Sequence, residues 1–253
     1  MMFLKRFIII YLLIISSCLH ADNIRILTLS FPPYAYVESG QVKGFVVDIV
    51  KEAMDRLQQD YELVVQPWAR SLHEMKTGKG DGLFPMFITE DRIYFTEYST
   101  KPLTYEYKSL FIRASDAIQY DGDLALLGDY RFCRVRGYSS GPVFDQAELN
   151  GTLPYVDLAN SSLQNIQKIL HNRCQILVDD RNVAAHLLKR LKQSNELSLL
   201  VDLERIPSYM GFSKFGKAKS LVKKFDKVHQ GMLNDGTIDK ILSDYLGDHS
   251  QSQ

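Results

Sequence analysis

Short apolar runs alternate with stretches of helical period along most of the chain. Ile24 to Leu29 reads as a strand ending in the turn-rich Phe31-Pro32-Pro33-Tyr34. Val46, Ile49, Val50, Ala53, Met54 and Leu57 then fall on one helix face. Tyr61 to Val65 predicts a second strand, and Trp68 to Met75 a short helix with Leu72 and Met75 inward. The cluster Gly78-Lys79-Gly80-Asp81-Gly82 marks a turn into a strand over Leu83 to Phe87. A similar order recurs downstream. Tyr130 to Val135 is a strand stopping at Gly137, and Ser139-Ser140-Gly141-Pro142 opens a helix, because Ser caps well and Pro suits the first turn. Tyr155 to Leu158 is a short strand, and Ser162 to Leu170 a helix with Leu163, Ile166, Ile169 and Leu170 on one face. Cys174 to Val178 is a strand ending in Asp179-Asp180, followed by a helix over Val183 to Leu191. Two helices, Ser220 to Leu233 and Thr237 to Leu246, break at Asn234-Asp235-Gly236. Two strand–helix–strand–helix units thus flank Lys108 to Asp116, which predicts a two-lobe α/β layout.

The first 21 residues depart from this pattern. Lys5-Arg6 precedes a nine-residue apolar run, Phe7 to Ile15, too short for the roughly 20 residues that span a bilayer. Basic, apolar and then small residues are the order of a secretory signal peptide, with cleavage expected after Ala21 and a periplasmic destination. Ile15-Ser16-Ser17-Cys18 also resembles a lipobox that would lipidate Cys18, but Ser is not the preferred residue before that Cys. Export places Cys133 and Cys174 in an oxidising compartment. Each opens an apolar run, so the two sulfurs meet if the runs are neighbouring parallel strands. Otherwise they are two small buried hydrophobes, and sequence alone does not fix the pairing geometry.

Composition narrows the function classes. The 253 residues carry 30 basic and 30 acidic side chains and are 45% hydrophobic. That is too apolar for disorder, and the absence of a Lys/Arg run argues against nucleic acid or a polybasic membrane surface. Removing Lys5 and Arg6 with the leader, and no acid, leaves a slight acidic excess. No Cys/His cluster has zinc-ligand spacing, so neither a metal nor a cofactor is expected.

Several motifs carry candidate chemistry. Gly137-Tyr138-Ser139-Ser140-Gly141 matches G-x-S-x-G at a strand-to-helix turn, with Asp179 and His186 following in hydrolase order. His186 lies mid-helix, however, and no Gly-Gly oxyanion segment exists. A helix start offering N–H groups to an anion, with Ser139 adding a hydroxyl, suits the same residues, as does a plain N-cap. Arg92 follows the strand Leu83 to Phe87. Ligands of open α/β sheets bind at such strand ends, where an Arg can fork onto a carboxylate; taken alone, a solvated surface Arg is the commoner case. Asp179 and Asp180 end another strand, where they suit an ammonium or simply cap a helix. Trp68, the only tryptophan, suits the floor of a ligand pocket or the core.

The order of these motifs resembles the family 3 extracellular solute-binding proteins, the periplasmic receptors of polar amino-acid ABC importers. It is carried by Phe31-Pro32-Pro33-Tyr34, Gly44-Phe45-Val46-Val47-Asp48-Ile49, Gly80-Asp81-Gly82 and Thr89-Glu90-Asp91-Arg92, then Phe95-Thr96-Glu97-Tyr98-Ser99. Val135-Arg136-Gly137-Tyr138-Ser139, Leu177-Val178-Asp179 and Asp235-Gly236-Thr237-Ile238-Asp239-Lys240-Ile241 continue it. The resemblance implies a two-lobe periplasmic-binding-protein fold of type II, two α/β lobes joined by a hinge that closes on ligand. One lobe would comprise 22–113 and 207–253, the other 114–206. It further implies that Arg92 clamps a ligand carboxylate, that Asp179 beside Asp180 takes an ammonium, and that Ser139, next to Tyr138, donates to the carboxylate. Phe31 and Trp68 would sandwich the side chain.

One departure bears on the ligand. Many of these receptors carry Ser or Thr just before the Thr-Glu segment; here the stretch is Phe84-Pro85-Met86-Phe87, with no polar side chain and no N–H at Pro85. Backbone carbonyls take over, or the ligand is not a standard α-amino acid. Phe87 with Phe31 and Trp68 favours a larger, flatter or cationic ligand. The expectation is a monomeric, non-enzymatic receptor that passes a small carboxylate-bearing solute, an amino acid being one candidate, to a membrane permease. The alternatives are a cyclic-acid dehydratase-like enzyme using Glu90, and a sensory module acting through a partner.

Overall fold

The computed structural model describes residues 23–246; the expected leader, Cys18 and the cleavage point after Ala21 lie outside them. In chain order the elements are β1 (Ile24–Thr28), β2 (Tyr36–Glu38), β3 (Gln41–Lys43), α1 (Phe45–Arg56), β4 (Tyr61–Val65), α2 (Trp68–Thr77), β5 (Gly82–Met86), β6 (Thr96–Tyr98) and β7 (Thr104–Arg113). Then come β8 (Phe132–Val135), α3 (Pro142–Leu149), β9 (Val156–Ala159), α4 (Ser162–Leu170), β10 (Ile176–Asp180), α5 (Arg181–Leu191), β11 (Leu197–Ser213), α6 (Val222–Asn234) and α7 (Thr237–Leu246).

Among the described residues the strands order as β4-β1-β5-β11-β7-β10-β8-β9, with β6 on β11 and β2-β3 forming a separate hairpin. Parallel β4-β1-β5 makes the sheet of one α/β lobe, and parallel β10-β8-β9 that of the other. Between them runs an antiparallel ribbon of β7 and β11, paired from Leu197↔Arg113 to Ser208↔Thr104. β11 continues past the ribbon to pair β5 and β6, while β7 pairs β10 through Lys108–Phe111. Any side chain pointing out of the ribbon's middle therefore lies at the junction of the lobes.

The apolar periodicity builds the core as expected over α1, where Phe45, Val46, Ile49, Val50, Ala53 and Met54 are buried. Helix α4 is turned relative to the expectation: Ser162, Asn165, Ile166 and Ile169 face inward, and Leu163 is exposed. Both sets have helical spacing, so the pattern left the rotation open by one residue, and packing against β8 and β10 chose it. The long β7 and β11 have no counterpart in the strand pattern read from the sequence. Register shifts between Leu199/Val201 and Asp202/Glu204 in β11 break the period of two that identifies a strand.

Cys133 of β8 and Cys174, just before β10, form a disulfide with the Cα atoms 5.9 Å apart. Parallel pairing of β8 with β10 brings them together. The loop closed spans a separation of 41 residues, and a cross-link of that length restricts the unfolded chain by about 4 kcal/mol. Reduction, or Cys133→Ala with Cys174→Ala, is expected to lower unfolding free energy by that amount, read from the urea midpoint with and without reductant.

Candidate functional site

At the lobe junction, loops after strands meet the central ribbon. Phe31 follows β1, Trp68 opens α2, and Phe87 and Arg92 follow β5; Tyr138 and Ser139 follow β8. These six side chains, all expected from the sequence, line one cavity together with Glu106 and Lys108 of β7. The space left is about 30 Å³, room for a water or two and far below the several hundred Å³ of a solute pocket. A solute needs more room than this arrangement leaves.

Tyr138 keeps that space small. Reaching in from the second lobe, its ring meets Phe31 edge-on at 6.1 Å and Trp68 at 6.3 Å. Arg92 lies beneath the tryptophan, its guanidinium carbon 5.1 Å from the ring centroid. Only 6% of Arg92 is exposed. Among the described residues its guanidinium makes one hydrogen bond, from Nη1 to the Phe87 carbonyl at 3.4 Å, and Nε is buried without a partner. Among the described residues no carboxylate comes within ion-pair distance of it. Burial accordingly lowers its pKa from the ordinary arginine value. A desolvated guanidinium without a counter-charge is costly, and a carboxylate forked onto it would relieve that cost.

Lys108 presents the opposite case. It is 5% exposed, yet its Nζ donates to Glu106 Oε2 at 2.8 Å and lies 4.9 Å from the Phe87 centroid and 5.4 Å from Phe31. The other Glu106 oxygen accepts from the Ser208 hydroxyl. Burial works against the lysine charge, but Glu106 and Asp180 outweigh it and the pKa ends above the ordinary value.

Asp179 and Asp180 are brought beside Lys108 rather than into the cavity lining. Asp180 is fully buried and its acceptors are occupied: Oδ1 caps α5 through the N–H groups of Asn182 (2.9 Å) and Val183 (3.1 Å). Oδ2 accepts from the Tyr34 hydroxyl at 3.0 Å and the Tyr107 N–H at 2.8 Å. Asp179 accepts the Asp180 N–H at 2.8 Å on Oδ1, while Oδ2 has no hydrogen bond of ordinary geometry. At Ser139 the helix begins later than the sequence suggested. Gly141 is the N-cap residue of α3, with φ 95°, and Ser139 donates to Asp145 Oδ2 at 2.6 Å instead of capping. The N–H of Ser140 goes to Asp145 and that of Val143 to Glu204, at 2.9 Å each, so this helix start already faces two carboxylates. The positive φ of Gly141 is a backbone conformation that residues other than glycine rarely adopt.

Burial pushes Asp179 up to about 6 and Asp180 up to about 7. An acid that holds its proton more tightly when folded stabilises the fold while protonated. That contribution is full below the ordinary aspartate pKa of about 4 and falls away as pH rises through 6 and 7. The stability difference between the wild type and Asp180→Asn is expected to shift against the wild type between pH 4 and 8. Urea denaturation of both proteins across that range measures it, and a pH-independent difference would sink the idea.

Glu106 and Lys108 were missed in the sequence, although a signal existed. Glu106, Lys108, Leu110 and Ile112 share one face of β7 and all are buried. Two charges in line with two core residues mark an inward polar pair, legible only once the strand is recognised.

A family model of bacterial extracellular solute-binding proteins, family 3, matches residues 24–248. No curated protein matches the chain. Among solved structures, a histidine kinase sensor domain with similarity to periplasmic binding proteins has a TM-score of 0.79 at 15% identity, over 89% of this chain and 96% of that one. An ancestral arginine-binding protein bound to arginine gives 0.77 at 21%, over 89% and 98%. The ancestral amino-acid-binding protein AncCDT-1, a precursor of cyclohexadienyl dehydratase, gives 0.73 at 20%, over 91% and 97%. At such identities the likeness establishes the fold, a two-lobe periplasmic-binding-protein architecture.

Proposed function

Because the chain belongs to the bacterial extracellular solute-binding proteins, family 3, we propose that it captures a small carboxylate-bearing solute between its lobes and passes it to an ABC importer in the inner membrane. The observation that carries this reading is Arg92, a buried guanidinium in the inter-lobe cavity with no acid within ion-pair distance among the described residues. The residue acts by forking onto the solute carboxylate, with Trp68 stacked on its other side. Phe31, Phe87 and Tyr138 supply apolar walls. In this reading the protein works as a monomer in the periplasm, delivered by the leader and released after Ala21, with lipidation at Cys18 as the alternative that mass spectrometry of the exported chain distinguishes.

A binding role is favoured over an enzymatic one by the placement of the acids. Glu90, the residue an acid-catalysed dehydration would use, is exposed and outside the cavity lining. Glu106 lies inside, but both its oxygens are engaged by Lys108 and Ser208. Thermal-shift screening of the exported form against small carboxylates, amino acids, amines and cyclic acids tests the reading. A solute at about 100 times its Kd adds roughly 2.7 kcal/mol. A carboxylate hit that vanishes in Arg92→Ala is the expected result; turnover of the hit would move the protein to the enzymatic class.

A further inference from the structure

The geometry points to a ligand class narrower than carboxylates in general, an inference that rests on the solute-binding reading above: we propose that the cleft takes monocarboxylates with a flat apolar body and no α-ammonium group, because Lys108 supplies the cleft's ammonium from within the protein.

The carboxylates at and beside the cavity are engaged or lie outside its lining. Both oxygens of Glu106 are bonded, to Lys108 and Ser208. All four acceptor positions of Asp180 are filled by backbone N–H groups and the Tyr34 hydroxyl. Asp179 keeps one open oxygen but does not line the cavity. Within the apolar Phe84-Pro85-Met86-Phe87 stretch, the Phe87 carbonyl accepts from Arg92 at 3.4 Å and from the Tyr98 hydroxyl at 3.1 Å.

The protein's own cation stands where the rings would otherwise hold a ligand's. Lys108 Nζ lies against the rings of Phe31 and Phe87, two of the three aromatics that suggested a cationic ligand. A second ammonium brought there would face a like charge in a desolvated site, an arrangement that interfaces use to reject wrong partners. Arg92 has the converse need, a charge without a counter-charge. With Lys108 neutralised by Glu106, the lining has one positive charge left over, and one carboxylate balances it.

Isothermal titration of matched pairs tests this: 3-phenylpropanoate against L-phenylalanine, and 3-(indol-3-yl)propanoate against L-tryptophan. The expected result is that a des-amino acid binds about a hundredfold tighter than its amino acid, with loss of binding in Arg92→Met. In Lys108→Met the preference is expected to narrow or reverse, since Glu106 is then open to an ammonium; the wild-type comparison stands even if that variant folds poorly. Equal or tighter binding of the amino acid, still dependent on Arg92, overturns the inference and leaves the solute-receptor reading intact. If neither pair binds but the wider thermal-shift screen yields another solute, the inference falls alone. Silence across the whole screen removes both.

Discussion

Replacing Arg92 with methionine is expected to abolish solute binding while leaving the unliganded protein at least as stable as the wild type. The two effects separate because, among the described residues, the guanidinium has no ion-paired acid to lose. Its internal partners are one long hydrogen bond to the Phe87 carbonyl and the Trp68 ring. Removing it costs the fold a cation–π contact of about 0.5 to 2 kcal/mol and returns the penalty of burying a charge whose Nε has no partner. In the complex the same residue faces the ligand carboxylate in a water-poor cleft, and truncating one member of such a pair costs about 2 to 5 kcal/mol. That corresponds to roughly thirtyfold to several thousandfold in Kd. Titration calorimetry and a melting curve on the same preparation read both quantities. A clear loss of melting temperature together with unchanged affinity would assign Arg92 to the fold instead of the site.

Lys108→Met is expected to have the opposite signature, with a loss of about 3 to 5 kcal/mol in unfolding free energy before any ligand is added. Lys108 and Glu106 are each about 95% buried and joined at 2.8 Å. Deleting the lysine leaves Glu106 Oε2 as an uncompensated acceptor in the interior, and its negative charge then acts unopposed on Asp179 and Asp180. The double variant Lys108→Met with Glu106→Gln removes both charges and is expected to recover most of the loss, since an ion pair exchanged for neutral groups is often close to neutral in stability. Urea denaturation of wild type, both single variants and the double variant gives the coupling directly. Additive losses would show that the two side chains do not act as a pair.

The two variants probe features of unequal legibility. Arg92 is visible in the sequence because a charged residue just past an apolar run sits where α/β sheets bind ligands. Trp68 and Ser139 are visible for the same kind of reason, each flanking the end of a recognisable element, whereas Phe31, Phe87 and Tyr138 came with the resemblance to the solute-binding family. Lys108 was not visible, because recognising it requires the strand that carries it. The bulges erase the alternation of β11 alone; β7 keeps its period of two but carries two charges at inward positions, which hides it among apolar strands.

The sequence by itself determined the α/β alternation, the buried face of α1, and the placing of Arg92, Trp68 and Ser139 at the ends of elements that meet in the cavity. These are local matters, set by apolar period, turn residues and the ends of elements. Tertiary structure alone decided which polar groups remain open to a ligand. Asp180 and Ser139 are plausible ligand contacts as residue types, yet the fold occupies the first with Tyr34, Tyr107 and a helix cap, and gives the hydroxyl of the second to Asp145. Hydrogen-bond capacity is used up by partners distant in the chain, such as Tyr34 and Asp180 at a separation of 146 residues. No local pattern records that pairing, because the side chains meet only once the whole chain has folded around the β7–β11 ribbon.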